Sequence, residues 1–183
     1  MSKLILIPTP IGNLSDITER AIESIKTVDL LLCEDTRRSL KLLNHLKIKK
    51  QLQSYHKFNE HSIVEKIINK IQSGIKVGLI SDAGTPSISD PGYLIVKLCI
   101  NNDVEVECLP GPSALIPALV ISGLPTERFT FEGFLPVKKG RKTRLEELSN
   151  EKRTMVFYES PYKLYKTLTD FSKYFGSKRE ISI

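Results

Sequence analysis

Short apolar runs alternate with helix-like segments along this chain, and this alternation is the feature that most limits its fold. Leu4 to Ile7, Val28 to Cys33, Lys76 to Ser81 and Val104 to Leu109 each have the length and apolar character of a buried strand. Segments with helical spacing, such as Thr36 to Leu46, lie between them. Strands that are apolar throughout and separated by helices predict an α/β fold with a mostly parallel sheet.

The pattern starts again after Gly123. Phe129 to Phe134 and Thr154 to Tyr158 read as strands, and a helix-like segment follows each of them. We therefore predict two α/β domains, the first over residues 1–122 and the second over residues 123–183. The second is short and ends on a strand-like run that would leave a sheet edge unpaired, so we predict that it is truncated or needs a partner to cover that edge.

Composition narrows the class of protein. The chain has 183 residues with 40% hydrophobic content, which suits one or two packed domains. Its longest apolar runs are far below the roughly 20 residues of a membrane-spanning helix, and the run after Met1 is too short for a signal peptide, so we expect a cytoplasmic location. Cys33, Cys99 and Cys108 are scattered and resemble small core residues, and no spacing suggests a metal site.

Positive charge is concentrated in one segment. The chain has 27 Lys and Arg against 21 Asp and Glu, a formal net charge of +6. Five of these cations fall between Lys138 and Arg144. A cluster of this kind favours a polyanionic partner.

Three loops rich in turn-forming residues follow predicted strands. They are Pro8 to Leu14, Ser81 to Gly92 and Pro110 to Ala114. Each alone could be an ordinary turn, but the carboxyl ends of parallel strands share one edge of a sheet, where ligands bind. Their convergence predicts a ligand site. The first loop has one glycine and is not GxGxxG, which argues against a nicotinamide or flavin cofactor.

Three further clusters carry titratable groups. Glu34-Asp35-Thr36-Arg37 follows the second strand, and helix capping explains its acids about as well as chemistry does. Tyr55 to Glu60 could face solvent or substrate. Phe157 to Pro161 ends the last full strand, where its Glu159 either caps a helix or lines a cleft.

Together these segments resemble the ribosomal RNA small subunit methyltransferase I family of the tetrapyrrole methylase superfamily. The resemblance runs from Leu4 to the end of the chain and rests mainly on Glu34 to Arg37 and on Ser81 to Gly92. It implies two α/β domains, S-adenosylmethionine in the cleft between them, and usually a homodimer. The implied reaction methylates a ribose 2′-oxygen of a cytidine in the decoding region of 16S rRNA, in the small ribosomal subunit.

The resemblance also implies cofactor contacts, by position in the family's motifs. Thr85 stands where most tetrapyrrole enzymes have aspartate, which weakens a small-molecule interpretation. Lys57 and Phe58 depart from the family's more acidic or histidine-containing loop, and relatives continue past residue 183. The implied cofactor-binding residues are Pro10, Gly84, Thr85, Ile88, Ser113, Ala114, Tyr158 and Glu159.

The implied reaction needs a base and an RNA-binding surface. A ribose hydroxyl is a poor nucleophile at neutral pH, so a base would help, and His56, Glu34 and Asp35 are unranked candidates. Two alternatives remain: a small-molecule tetrapyrrole methylase, and an RNA-binding module without a cofactor. The residues expected to hold the RNA backbone are Arg37, Lys138, Lys139, Arg141, Lys142 and Arg144.

Overall fold

The computed structural model describes residues 3–183, which form two compact units, one ending at Ala114 and the other spanning Leu115–Ile183. The strands are β1 (Lys3–Ile7), β2 (Leu30–Cys33), β3 (Leu52–Ser54), β4 (Val77–Ile80), β5 (Glu105–Cys108), β6 (Phe129–Phe134) and β7 (Thr154–Tyr158). The helices are α1 (Glu19–Thr27), α2 (Thr36–His45), α3 (Glu60–Gln72), α4 (Tyr93–Asn101), α5 (Leu115–Ile121), α6 (Arg141–Leu148) and α7 (Leu164–Phe175). The predicted boundary at residue 122 falls after α5, whereas the compact units divide before it.

The first unit is built on a five-stranded parallel sheet in the order β3-β2-β4-β1-β5. This confirms the predicted α/β class with a mostly parallel sheet. The edge strand β3 was not predicted, because its three half-buried residues include only one apolar side chain, Leu52. Cys108 lies on the other edge strand and is exposed, so the prediction of a core role is wrong for this cysteine.

Helices cover both faces of this sheet. Along β1, Leu4 and Leu6 face a core that includes buried residues of α3 and α4, whereas Ile5 and Ile7 face α1 and α2. The alternation follows from the period of two along a strand. Both faces of the central strands are therefore apolar, and polar chemistry is left to the strand ends.

Two helices begin several residues after the strand that precedes them. Ser15 and Asp16 lie in a short 3-10 helix, and α1 begins only after Thr18, whose Oγ1 accepts a hydrogen bond from the Ala21 amide at 3.1 Å. Helix α5 starts three residues after Pro112. In both places the residues after the strand are used in an extended loop.

The second unit pairs β6 and β7 in parallel, so it is also α/β. Leu135 together with Leu145 and Leu148 of α6 forms its buried core, against which Phe157 of β7 and Phe171 of α7 pack. No helix between residues 3 and 183 is long and apolar enough to cross a membrane.

Candidate functional site

The loops that follow β1 and β4 are joined by hydrogen bonds. The Thr9 and Gly84 backbones exchange two N–H to carbonyl bonds of 2.9 Å. The Thr9 hydroxyl donates to the Ser81 carbonyl at 3.0 Å, and the Ser81 hydroxyl donates to the Gly84 carbonyl at 2.9 Å. Thr9 and Ser81 are buried, so these bonds fix the two strand ends to each other.

The loop after β5 meets the same place. A Cβ added to Gly111 would lie 2.4 Å from the Pro8 Cβ, and one added to Gly84 would lie 3.7 Å from the Pro112 carbonyl oxygen. The predicted convergence of three strand-end loops is therefore confirmed. We call this junction, formed by residues 8–14, 81–92 and 110–114, the strand-end site.

Backbone strain is concentrated in the loop after β4. Gly84 has a φ of 83°, and Ser87 and Ser89 adopt left-handed φ values of 73° and 63°, which side chains disfavour. A Cβ on Gly92 would lie 2.1 Å from the Ser87 Oγ, and that oxygen is buried without a hydrogen-bond partner among the described residues. Such strain persists only where the surroundings enforce it, and it is typical of functional loops.

Three carboxylates influence one another at this edge. Burial, followed by the negative charges of Glu34 and Asp82, raises the pKa of Asp90 to about 6. Burial and the charge of Asp82 also raise the pKa of Glu34, against the opposing influence of Arg38 and His56. Both carboxyl groups are thus stronger bases than ordinary ones.

Asp35 and Arg37 are engaged with each other at the start of α2. The Asp35 Oδ1 accepts from the Arg37 amide at 2.9 Å, and its Oδ2 accepts from the Arg37 guanidinium at 2.8 Å. These contacts hold the pKa of Asp35 well below its usual range. Capping therefore accounts for Asp35, and two of the five N–H donors of the Arg37 guanidinium are used within the turn.

His56 belongs to a loop that is ordered by its own hydrogen bonds. The Asn59 carboxamide accepts from the His56 amide at 2.8 Å and donates to the Ser54 carbonyl at 3.1 Å. The His56 Nδ1 accepts from the Phe58 amide at 3.2 Å. In neutral histidine this arrangement puts the proton on Nε2.

A cavity of about 160 Å³ lies beside the joined loops of β1 and β4. Leu14 and residues of α2 and β4 form its apolar part. Its polar lining includes Thr9, Arg38, Lys41, Ser81 and Asp82, and Pro10 lies next to them.

The predicted cofactor residues are distributed over both units. In the first, Gly84 is buried, Thr85 is half-buried and Ile88 is 43% exposed, while Ser113 and Ala114 follow β5.

In the second unit, Tyr158 packs against Phe131 with ring centroids 5.0 Å apart. The Glu159 carboxylate accepts from the Thr167 hydroxyl at 2.6 Å and from the Ser160 amide at 2.8 Å. Burial opposes its ionisation, but these hydrogen bonds lower the pKa of Glu159. Both residues therefore have structural partners within their own unit.

The basic segment from Lys138 to Arg144 does not present five free charges. Arg141 is buried and donates to Asp170 at 2.9 Å and to Thr167 at 2.7 Å. This position removes Arg141 from the surface on which we expected it to hold RNA.

Other cations of this segment are also paired. Arg144 contacts both Glu132 and Glu147, and Lys142 reaches Glu146 at 3.6 Å. Lys138 and Lys139 are exposed and form no salt bridge with residues that the structure describes. They are the most available cations of the segment.

Comparison with known proteins establishes the family. The model of the Tetrapyrrole (Corrin/Porphyrin) Methylases matches residues 3–183. The chain belongs to the tetrapyrrole methylase family. It is 47% identical over its whole length to a Ribosomal RNA small subunit methyltransferase I from Synechocystis sp., and 48% identical over its whole length to one from Thermotoga maritima.

This tetrapyrrole methylase spans about two thirds of the length of most of these relatives. It covers 66% of the Synechocystis protein, 82% of the Thermotoga protein and 63% of a protein of the same name from Haemophilus influenzae, to which it is 47% identical over 97% of its length.

Solved structures support the same fold at low identity. The cobalt precorrin-4 methyltransferase of cobalamin biosynthesis superposes with a TM-score of 0.69 over 97% of this chain and 77% of that one, at 19% identity. A uroporphyrin-III C-methyl transferase from Thermus thermophilus complexed with S-adenosyl homocysteine gives 0.63 over 97% and 78%, at 18% identity.

Sequence reasoning missed several residues of the site in this tetrapyrrole methylase. Arg38 and Lys41 line the cavity, yet only Arg37 of this helix was selected. Positions 38 and 41 are three apart and share one face of α2, and this spacing was the available signal. Thr9 was also missed, because its role depends on contacts with a segment more than 70 residues away.

Proposed function

We propose that this tetrapyrrole methylase transfers a methyl group from S-adenosylmethionine to RNA of the small ribosomal subunit, at a ribose 2′-oxygen of a cytidine in the decoding region. The observation that carries the proposal is the identity of 47–48% with proteins named Ribosomal RNA small subunit methyltransferase I. That identity extends over 97–100% of the chain and so spans every loop of the strand-end site.

The strand-end site suits the cofactor chemically. Ligand sites combine apolar surface with a few fixed polar groups, and here Ile11 and Ile88 expose 40% and 43% of their surface beside a rigid Thr9–Gly84 link. When bound, S-adenosylmethionine supplies an electrophilic methyl group on a sulfonium sulfur. The predicted contacts of the first unit that would hold it are Pro10, Gly84, Thr85, Ile88, Ser113 and Ala114. In the second unit, Tyr158 and Glu159 stay predicted contacts.

Among the candidate bases, Glu34 fits the task best. Asp35 is held as a low-pKa carboxylate by Arg37, and the His56 Nδ1 already accepts a hydrogen bond. Glu34 is half-buried, has a raised pKa and has no hydrogen-bond partner for its carboxylate among residues 3–183. We infer that the Glu34 carboxylate would accept the proton of the ribose hydroxyl as the bond from the ribose oxygen to the methyl carbon forms and the bond from that carbon to the sulfonium sulfur breaks.

The assignment is tested by kinetics of Glu34→Gln and His56→Gln. Loss of a positioned base lowers the rate by about 10² to 10⁴-fold, so Glu34→Gln should lower kcat by at least about 100-fold with unchanged cofactor affinity. His56→Gln should lower kcat by less than about tenfold, because its Nε2 carries a proton. A large loss for His56→Gln with near-normal activity of Glu34→Gln would reverse the assignment.

The RNA-binding surface includes the exposed Lys138 and Lys139, with a smaller contribution from Lys142. The other predicted RNA contacts, Arg37 and Arg144, are held by neighbouring carboxylates, and Arg141 is buried. Salt-dependent RNA affinity is the expected signature of such a surface.

The reaction itself is tested by tritium transfer from labelled cofactor to purified small subunits and to naked RNA, with mapping of the modified nucleotide. Transfer to a cytidine ribose supports the proposal, and transfer only to a tetrapyrrole would support the small-molecule alternative. RNA binding without cofactor binding in calorimetry would identify a non-catalytic module.

The proposed ribosomal RNA substrate implies that the protein acts in the cytoplasm. We also propose a homodimer, and sedimentation would test this oligomeric state.

A further inference from the structure

The cavity beside the β1 and β4 loops has a polar floor whose hydrogen bonds are already satisfied. The hydroxyls of Thr9 and Ser81 donate to backbone carbonyls of the same loops, and the Ser39 hydroxyl donates to the Asp35 carbonyl at 3.1 Å. The Asp82 Oδ1 accepts from the Asp35 amide at 3.1 Å. These groups form a rigid frame and have little need of a neutral polar ligand.

Two cations on α2 retain unused donors. Arg38 contributes one nitrogen to Asp82 at 3.3 Å, although a guanidinium has five N–H donors. Lys41 forms neither a hydrogen bond nor a salt bridge with any residue between 3 and 183. The unused hydrogen-bond donors of the cavity belong to cations, so they favour an anionic ligand.

The net charge and the volume of the cavity limit which anion it can hold. Two cations and one carboxylate, Asp82, line the cavity, which leaves one positive charge. A phosphodiester carries one negative charge and would neutralise it. At about 160 Å³ the cavity is smaller than the roughly 300–1,000 Å³ of sites that enclose a drug-sized molecule, so it suits a single charged group better than a whole cofactor.

We propose that Arg38 and Lys41 hold one backbone phosphate of the substrate RNA in this cavity, next to the strand-end site. The inference rests on the proposed RNA substrate and adds a specific anchoring point to it. Glu34 follows β2 directly. A bound phosphate would fix the position of the RNA strand beside Glu34, because phosphate contacts position a nucleic acid without reading its sequence. Arg38 and Lys41 are thus positioning residues.

The test uses a synthetic decoding-region oligoribonucleotide in which one phosphate at a time is replaced by an uncharged methylphosphonate. For the unmodified protein, one position should weaken binding by about tenfold, the size expected for a lost charge-assisted contact. In Lys41→Gln that same replacement should weaken binding by only about threefold, because Arg38 alone then contacts the phosphate. Lys66→Gln is the matched control, since Lys66 is exposed on α3 outside the cavity, and it should retain the full effect.

Two further measurements separate the possible failures. If Lys41→Gln weakens S-adenosylmethionine binding as much as RNA binding, the cavity holds the cofactor carboxylate and the phosphate site is overturned. If the protein methylates RNA but every methylphosphonate position keeps its full effect in Lys41→Gln, the phosphate site alone is wrong. If the interference pattern is as expected but no methyl group is transferred, the proposed methylation is overturned and the phosphate site stands.

Discussion

The strand-end site of the first unit and the basic segment of the second differ in how their charged side chains are paired. At the strand-end site, Asp82 and Asp90 lie close to the neighbouring Glu34, and burial together with these negative charges raises the pKa of Asp90 to about 6. In the basic segment, arginines are matched with carboxylates, as in Arg141 with Asp170. Reactive charge is therefore kept in the first region and largely neutralised in the second.

The difference shows which sequence patterns predict the folded structure correctly. Turn-forming residues act through the local backbone, so the loop from Ser81 to Gly92 has the tight turns that its composition suggested. A count of cations says nothing about distant partners: Asp170 lies 29 residues from Arg141 in sequence, and Glu132 lies 12 residues from Arg144. Charge clusters consequently need a structure before they indicate a binding surface.

The largest expected effect is on stability, from Arg141→Ala. The substitution would leave the Asp170 carboxylate and the Thr167 hydroxyl without their guanidinium partner in a mostly buried place. Breaking a buried ion pair costs about 3 kcal/mol. Because Asp170 is partly exposed, we expect Arg141→Ala to lower the free energy of unfolding by about 2–3 kcal/mol. Urea denaturation measures the loss.

The matched control for Arg141→Ala is Lys142→Ala, which removes an exposed neighbour and should change stability by less than about 0.5 kcal/mol. If Arg141→Ala leaves stability intact but weakens RNA binding, Arg141 belongs to the RNA surface and the contrast between the two regions is lost.

A second effect separates backbone strain from site function. Gly84 and Gly176 have similar left-handed φ values of 83° and 88°, one at the strand-end site and one after α7. Alanine at either position should destabilise the protein by about 1–2 kcal/mol, because the left-handed region disfavours a Cβ. Thermal unfolding measures both variants.

Cofactor affinity then distinguishes the two glycines. Gly84→Ala disturbs the Thr9 link and should weaken S-adenosylmethionine binding by about tenfold, equivalent to 1.4 kcal/mol, whereas Gly176→Ala should not weaken it. Equal affinities of the two variants in calorimetry would show that the strained loop has no cofactor role.

These contrasts indicate how far the sequence reaches. The parallel sheet was predictable because strands such as β2 and β4 are apolar throughout. The strand-end site was predictable because turn residues follow β1, β4 and β5. The cavity-lining role of Thr9 and the pairing of Arg144 with Glu132 were not, since both depend on packing between segments that periodicity does not relate.

A smaller effect concerns the pH dependence of stability. The pKa of Asp90 is about 6 in the folded protein against an ordinary 3.8, so the folded state binds this proton more tightly than the unfolded state. Its contribution to stability is complete below about pH 4 and is lost as the pH rises through 6. Asp90→Asn should therefore raise the free energy of unfolding at pH 8 by about 1 kcal/mol, allowing for partial exposure, and change little at pH 4.

Denaturant unfolding at the two pH values measures the Asp90 effect. Asp16→Asn, at an exposed position, provides the control and should show no such difference. If Asp90→Asn and the unmodified protein have parallel pH profiles, the crowding of acids at the strand-end site has no energetic consequence.

The smallest effect tests the free cations of the second unit. Replacing both Lys138 and Lys139 by Gln should reduce the slope of log affinity against log salt by about 1.4, or 0.7 for each single-strand phosphate contact. Arg144→Gln should change the slope much less, because Glu132 and Glu147 already neutralise that guanidinium. If Arg144→Gln flattens the slope as strongly as the loss of a lysine, RNA must displace the two glutamates. The paired arginines of the basic segment would then become available when RNA binds. The contrast in charge pairing between the strand-end site and the basic segment would hold only for the protein without RNA.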